Sequence, residues 1–202
     1  MKLHYTAALL VAGLLGAMPA NAADTSSSQL TIGQTPSTDC FNAAQAISRS
    51  GDALPGVPRN NALASCTQAL SGKMLAKDRI ATLANRGNIE AASGDMTSAL
   101  ADYDAALAMN PKMADIYLDR GSALMRATRY DEARASFDQA VALGGDNVYL
   151  AYFNRALAEE KAGDINNAYQ DYKQAVALAP NYQPARSELA RFQLVPRAKT
   201  QG

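Results

Sequence analysis

The sequence predicts an all-α protein, a stack of helical hairpins wound as a right-handed solenoid and closed by a C-terminal capping helix. Three observations carry this. Small, aromatic and helix-stopping residues recur at steps of 34 and 35 residues. Each unit divides into two short amphipathic segments about a turn, as Arg79 to Lys112 shows with its turn at Gly94-Asp95 and its stop at Asn110-Pro111. The pattern then starts a fourth time after Pro180 without finishing, as a terminal helix with a polar outer face would.

The chain opens with a short n-region (Lys2, His4), an apolar stretch from Thr6 to Met18, and the small-x-small triplet Ala20-Asn21-Ala22. This three-part layout predicts a secretory signal peptide over residues 1–22, cleaved after Ala22. The apolar run is shorter than the roughly 20 residues of a spanning helix, so no membrane insertion is expected after cleavage. A bacterial periplasm is the expected compartment. Cleavage removes Lys2 and the single histidine and leaves a formal charge of −1. A near-neutral chain has no global electrostatic reason to bind nucleic acid or anionic lipid. Residues 23–38, rich in Ser and Thr and without a period, read as a flexible leader.

Residues 39–75 read as a degenerate helical hairpin. Asp39 is placed to cap a helix from Cys40 to about Ser50, Pro55 and Pro58 break the connection, and a second helix runs from about Asn60 to Ser71. Each arm carries one cysteine, and in an exported protein this suggests a disulfide between Cys40 and Cys66. The alternatives are two buried thiols, a redox pair or metal ligands. A C-x-x-C motif is absent, and a mature chain without histidine offers few further ligands. The arms are rich in Ala, Ser and Asn and poor in large apolar side chains, so a cross-link would limit fraying at the end of the stack.

The units proper are 80–113, 114–148 and 149–182. With Ile80, Ala114 and Tyr149 as position one, position four is Leu83, Tyr117 and Tyr152, and position seven is Arg86, Arg120 and Arg155. Position eight is Gly87, Gly121 and Ala156. Position twenty is Ala99, Ala133 and Ala168; position twenty-four is Tyr103, Phe137 and Tyr172; position twenty-seven is Ala106, Ala140 and Ala175. Small residues let paired helices approach, and aromatics fill the space between the close points. Position thirty-two is Pro111, Gly145 and Pro180, and the extra residue of the longer step falls in Gly144-Gly145-Asp146. Counting back 37 residues puts Ala62 at twenty, Cys66 at twenty-four and Ala69 at twenty-seven. The degenerate hairpin should therefore join one continuous stack. Residues 183–196 read as the capping helix and 197–202 as a short basic tail.

This combination of period and positions resembles the tetratricopeptide repeat family over about Ile80 to Pro180. The resemblance implies that first helices line a concave groove for a protein or peptide partner, with positions two, five, six, nine, twelve and thirteen pointing inward. Carried onto this chain, those positions name Asn88, Leu118, Asp119, Met125, Arg126, Phe153, Asn154 and Leu157 as the groove-binding set, with an apolar patch around Leu118, Met125, Phe153 and Leu157. The alternative is that some of Leu118, Phe153 and Leu157 are core between adjacent repeats, since apolar residues at helical spacing are usually core. Some family members hold a terminal carboxylate in a clamp of Lys, Arg and Asn. Here Asn88 is kept, but Ala84 and Leu150 stand where the cations would be, and Asp119 replaces an Asn. The groove is therefore expected to read a partly apolar segment.

The arginines at position seven have two readings: a basic ladder on the groove, or structural pairs to the second helix through Asp102 or Asp171. The second is favoured because position seven normally faces its own partner helix. The counterpart in the middle unit is Ser136, so a uniform ladder is not expected.

No enzyme class is supported. Without histidine the mature chain lacks His-based acid–base or triad chemistry, and it has no phosphate loop, dinucleotide fingerprint or H-E-x-x-H. No cofactor, metal site or catalytic residue is expected. The expected function is a non-enzymatic interaction module or scaffold of the cell envelope. The alternative is a binder of a small ligand or cell-wall fragment.

Overall fold

In a computed structural model, residues 35–50 and 59–194 are described, and among them the chain forms nine α-helices and no strand. They are α1 (Pro36–Ser50), α2 (Arg59–Ser71), α3 (Ala76–Ala92), α4 (Met96–Met109), α5 (Ala114–Arg126), α6 (Tyr130–Leu143), α7 (Val148–Lys161), α8 (Ile165–Leu178) and α9 (Gln183–Leu194). Helices α3–α4, α5–α6 and α7–α8 pair as hairpins, successive hairpins pack on each other, and α9 closes against α8. The described residues all fall in one compact unit, 33–202. The expected signal peptide, most of the leader, the α1–α2 connection and the basic tail lie outside the described residues.

Local chemistry explains where the helices turn. Asp95 and Asp164 cap α4 and α8, their carboxylates accepting the backbone N–H of Ser98 at 3.0 Å and Asn167 at 3.3 Å. Gly94 and Gly163, just before the caps, hold φ of +86° and +87°, where a side chain is strained. The middle unit keeps the geometry without the chemistry: Thr128 holds φ +59°, and Arg129 stands at the cap of α6 with no side-chain hydrogen bond to the helix backbone. Helices α4 and α8 end at Met109 and Leu178, two residues before Pro111 and Pro180.

The start of the stack departs from the expected layout. Helix α1 begins at Pro36, so residues 36–38 belong to a helix and not to a leader. Asp39 is in the first turn instead of at the cap. Thr35 takes the capping role, its hydroxyl accepting the Thr38 N–H at 3.3 Å. A proline in the first turn is compatible with this start because its missing N–H would have no partner there. Helix α3 likewise begins at Ala76, one turn before Ile80.

The core follows the repeat positions. Ala99, Ala133 and Ala168 are fully buried, as are Ala106 and Ala175, while Tyr103, Phe137 and Tyr172 are its largest buried side chains. A Cβ on Gly121 would overlap Cε1 of Phe137 and lie 2.7 Å from its Cδ1; one on Gly87 would lie 2.8 Å from Cε1 of Tyr103. The aromatic ring therefore rests on the bare backbone of the paired helix. Ala62, Cys66 and Ala69 of α2 are buried at the matching positions. Cys40 and Cys66 are joined in a disulfide, with Cα atoms 4.8 Å apart. Around it lie Ala43, Ala44, Ala62 and Ile89, the last from α3, which thereby belongs to both the first hairpin's core and the second's.

Candidate functional site

The arginines of position seven are the first candidates, and geometry makes them clamps between helices. Arg86 holds Asp102 through Nε and Nη2 at 2.6 and 2.7 Å, and Arg155 holds Asp171 in the same way at 2.6 and 2.9 Å. Such two-point guanidinium–carboxylate contacts fix orientation as well as distance. Each arginine also reaches the second helix of the preceding hairpin: Arg86 to Thr67 at 3.2 Å, Arg120 to Asp104 at 2.7 Å, Arg155 to Asp138 at 2.7 Å. Arg120 completes the series by donating to Ser136 at 2.7 Å. The expectation that Ser136 breaks the ladder is thus corrected. The preceding unit supplies the carboxylate that Ser136 lacks, so all three arginines bridge three helices. They are committed to stacking.

Glu90 and Glu159, at position eleven of the first and third units, sit beside these clamps. Each has a buried Oε2 with no hydrogen-bond partner among the described residues. Burial, reinforced by the neighbouring Asp102 or Asp171, pushes each carboxyl up to about 7, against the pull of Arg86 or Arg155. The folded chain therefore binds these protons more tightly than the unfolded one. Stability conferred by the protonated carboxyls is complete below the ordinary carboxylate range and is lost as pH rises toward 7, then stays level. Glu90→Gln and Glu159→Gln are each expected to raise stability by roughly 1–2 kcal/mol at pH 8 and to leave it nearly unchanged at pH 4. Urea melts at the two pH values check this; an equal gain at both would show that charge is not the cause.

The groove set lies on the first helices α3, α5 and α7, which sit side by side. Asn88, Asp119 and Tyr103 are brought together across two hairpins. The Tyr103 hydroxyl donates to Asn88 Oδ1 at 2.6 Å, and the Asn88 amide lies close enough to the Asp119 carboxylate to favour its charged form. Desolvation pushes the Asp119 carboxyl up to about 6, the Asn88 amide opposing it and Asp115 adding to it. Burial and the nearby Asp119 also push the Tyr103 hydroxyl well above its ordinary range, so it stays a donor. Arg126, on the same helix, is exposed. Asn154, on α7, is half-buried and has no side-chain hydrogen bond among the described residues.

The apolar members pack partly into the cores, as the inter-repeat alternative has it. Leu118 and Met125 are half-buried and pack against the central core. Phe153 and Leu157 pack against the third core with Tyr172. Phe153 meets Tyr172 at 5.8 Å between ring centres and Tyr182 edge-on at 5.3 Å. Tyr182 also meets Tyr149 at 5.2 Å. These side chains fill the joints between hairpins, because a one-stripe helix must bury that stripe against its neighbour. What they leave for a partner is a flank, and the open part of the face is mostly polar. Tyr182 was not among the expected residues. Its only sequence signal was an aromatic two residues after the Pro180 stop.

Asp115 accepts from Asn147 of the next hairpin at 3.1 Å, and Glu160 is held by Arg191 at 2.6 and 2.7 Å and by the Tyr172 hydroxyl at 3.2 Å. Helix α9 is thus fastened to α7 by charge and to α8 by Phe192, which meets Tyr172 at 5.6 Å. Among the described residues no group of three or more His, Cys, Asp or Glu is placed to hold a metal ion, and no helix is long and apolar enough to cross a membrane.

Comparison with known proteins bears on the same residues. The profile of the tetratricopeptide repeat family matches residues 85–148 and 118–183. The chain is 32% identical over 115 residues to the DnaJ homolog subfamily C member 7 homolog of Schizosaccharomyces pombe, covering 54% of this chain and 24% of that protein. It is 31% identical over 91 residues to human sperm-associated antigen 1, covering 45% of this chain and 10% of that one. The chain therefore spans a quarter or less of these relatives' length. Among solved structures, the second such domain of human RPAP3 in complex with the HSP70 peptide SGPTIEEVD superposes with a TM-score of 0.55 at 25% identity, over 59% of this chain and 98% of that one. The first domain of Spaghetti (RPAP3) bound to the HSP90 peptide SRMEEVD gives 0.54 at 25% identity, over 57% and 90%. MamA gives 0.60 over 73% and 81%, but at 18% identity it attests the fold alone. With the period, the helix pairing and the family profile in agreement, the chain belongs to the tetratricopeptide repeat family.

Proposed function

We propose that this protein is a non-catalytic interaction module of the bacterial cell envelope, binding a protein segment along the face formed by α3, α5 and α7. The observation that carries the reading is the pair of half-buried amides Asn85 and Asn154, at position six of the first and third units. Among the described residues neither side chain has a hydrogen-bond partner. Amides left half-desolvated in this way gain most from a backbone that supplies both a donor and an acceptor. Structural relatives at 25% identity bind peptides, which supports the same reading. On this face a small ligand is less well served: the cavity between α5, α6 and α7, lined by Asp115, Leu118 and Asn147, has a volume of about 10 Å³, room for roughly one water. The larger cavity of about 360 Å³ lies elsewhere, at the α5–α6 turn around Thr128 to Glu132.

The signal-peptide pattern and the disulfide both favour an oxidising, exported setting. Recovery of the protein from a periplasmic extract with Ala23 as its first residue would support that placement; recovery with Met1 from the cytosol would refute it. For the face itself, Asn85→Tyr with Asn154→Tyr adds neutral bulk at two half-exposed positions and is expected to leave the melting curve unchanged. It is expected to lower partner recovery from envelope extract at least tenfold. Undiminished recovery by the folded variant would exclude this face.

A further inference from the structure

Position six of the three units carries Asn85, Asp119 and Asn154, one on each of the adjacent helices α3, α5 and α7. The outer two are amides and the middle one is an acid. Asp102, Asp104, Asp138 and Asp171 each hold an arginine of position seven, and Glu160 holds Arg191. Glu90 and Glu159, with one unpartnered oxygen each, still lie in the field of Arg86 and Arg155. Asp119 is different. The neutral Asn88 amide lies beside it, and no lysine or arginine among the described residues forms an ion pair with it. Its neighbour Asp115 adds to the negative potential, and Asn147 offsets this only as a neutral donor. Asn88 cannot turn away to make room for another acceptor, because its carbonyl oxygen is held by the Tyr103 hydroxyl at 2.6 Å.

Taking the reading of this face as a peptide groove as given, we propose that its occupant carries a positively charged group, a lysine or arginine side chain or a free amino terminus, seated on Asp119 between apolar flanks. A half-buried carboxylate beside a neutral amide lacks its counter-charge, and a cation arriving with the partner supplies it at little further desolvation of the protein. Leu118 stands one residue before Asp119 and Phe153 one residue before Asn154, each packed on the core and half-exposed, so the cation would be bordered by apolar surface on either side. The same arrangement disfavours acidic segments. The peptides bound by the RPAP3 domains end in Glu-Glu-Val-Asp, and a carboxylate brought to Asp119 would meet like charge.

The test uses three fluorescein-labelled, terminally capped dodecapeptide mixtures with leucine at alternate positions and lysine, glutamine or glutamate between them. A fourth arm has an uncapped amino terminus with glutamine between the leucines. Anisotropy with the full mature protein is expected to show the lysine mixture, the uncapped one, or both binding at least about tenfold tighter than the glutamate mixture. The arm that gains identifies the source of the charge. Asp119→Asn is expected to bring that ratio below about threefold, while Asp146→Asn, in the exposed Gly144-Gly145-Asp146 turn, leaves it unchanged. Equal binding of all mixtures, insensitive to Asp119→Asn but lost with Asn85→Tyr and Asn154→Tyr, overturns the cationic occupant and leaves the groove standing. No binding of any mixture overturns both.

Discussion

Replacing Phe137 by alanine is expected to cost about 3–5 kcal/mol, a large share of the stability of a domain this size. Phe137 is fully buried at position twenty-four of the middle hairpin, with Ala133 and Ala140 one turn either side, both buried and too small to close a cavity. Its ring lies on the backbone at Gly121, which makes the contact reciprocal. Gly121→Ala would gain about 1 kcal/mol of helix propensity, yet is expected to destabilise by about 1–3 kcal/mol net because the new methyl overlaps the ring. In a Phe137→Leu background the glycine substitution is expected to become neutral or stabilising, since the overlapped ring atoms are gone. A thermodynamic double-mutant cycle by urea denaturation measures this coupling. Additive effects would show that ring and glycine are not the contact that sets the hairpin's spacing.

Opening the Cys40–Cys66 disulfide is expected to cost about 3.5 kcal/mol in the chain-entropy model, from a closed loop of 26 residues. The loss should be local. Among the described residues the buried core of the first hairpin is Cys40, Ala43, Ala44, Ala62 and Cys66 with Ile89 of α3, and Leu63 packs partly buried against it, so Ile89 is the one large aliphatic side chain fully buried there. A core of alanines buries little apolar area per residue, and the cross-link supplies what packing does not. Hydrogen exchange of Cys40→Ser with Cys66→Ser is expected to show α1 and α2 exchanging at least tenfold faster, with α5 to α8 unchanged, because stacked repeats unfold from their ends. Uniform acceleration along the chain would contradict this division.

Much of the fold was legible because its determinants are periodic. Steric demands at positions eight, twenty and twenty-four are met within one hairpin and recur at every unit, so three copies report the same constraint. The boundaries of α1 and α3 were less legible. Pro36 starts a helix as readily as it ends one, and Asp39 suits a first turn as well as a cap, so identity alone does not place the start. The Arg120 clamp was missed for a different reason. Its carboxylate, Asp104, belongs to the preceding hairpin, and a search for partners within one unit stops at Ser136. At the groove, spacing placed the named residues on α3, α5 and α7 but could not divide them between open face and joint. Leu118, Met125, Phe153 and Leu157 show apolar spacing that both a binding patch and a repeat joint would produce, and Tyr182, which settles Phe153's role, lies outside the aligned positions. The Tyr103–Asn88–Asp119 chain was half visible: Asn88 and Asp119 were named, but a tyrosine at an aromatic core position gave no sign that its hydroxyl reaches the face.

On the proposed reading, a partner sits on the α3–α5–α7 face. Site-specific photo-cross-linking tests it most directly, with benzoylphenylalanine placed in the intact protein at Asn85 or Asn154 on that face, or at Gln139 or Gln174, exposed on α6 and α8. Irradiation in the native envelope is expected to give a discrete adduct from the Asn85 and Asn154 positions and none from the other two. Adducts from Gln139 and Gln174 with none from Asn85 and Asn154 would place the partner on the second helices and contradict the claim.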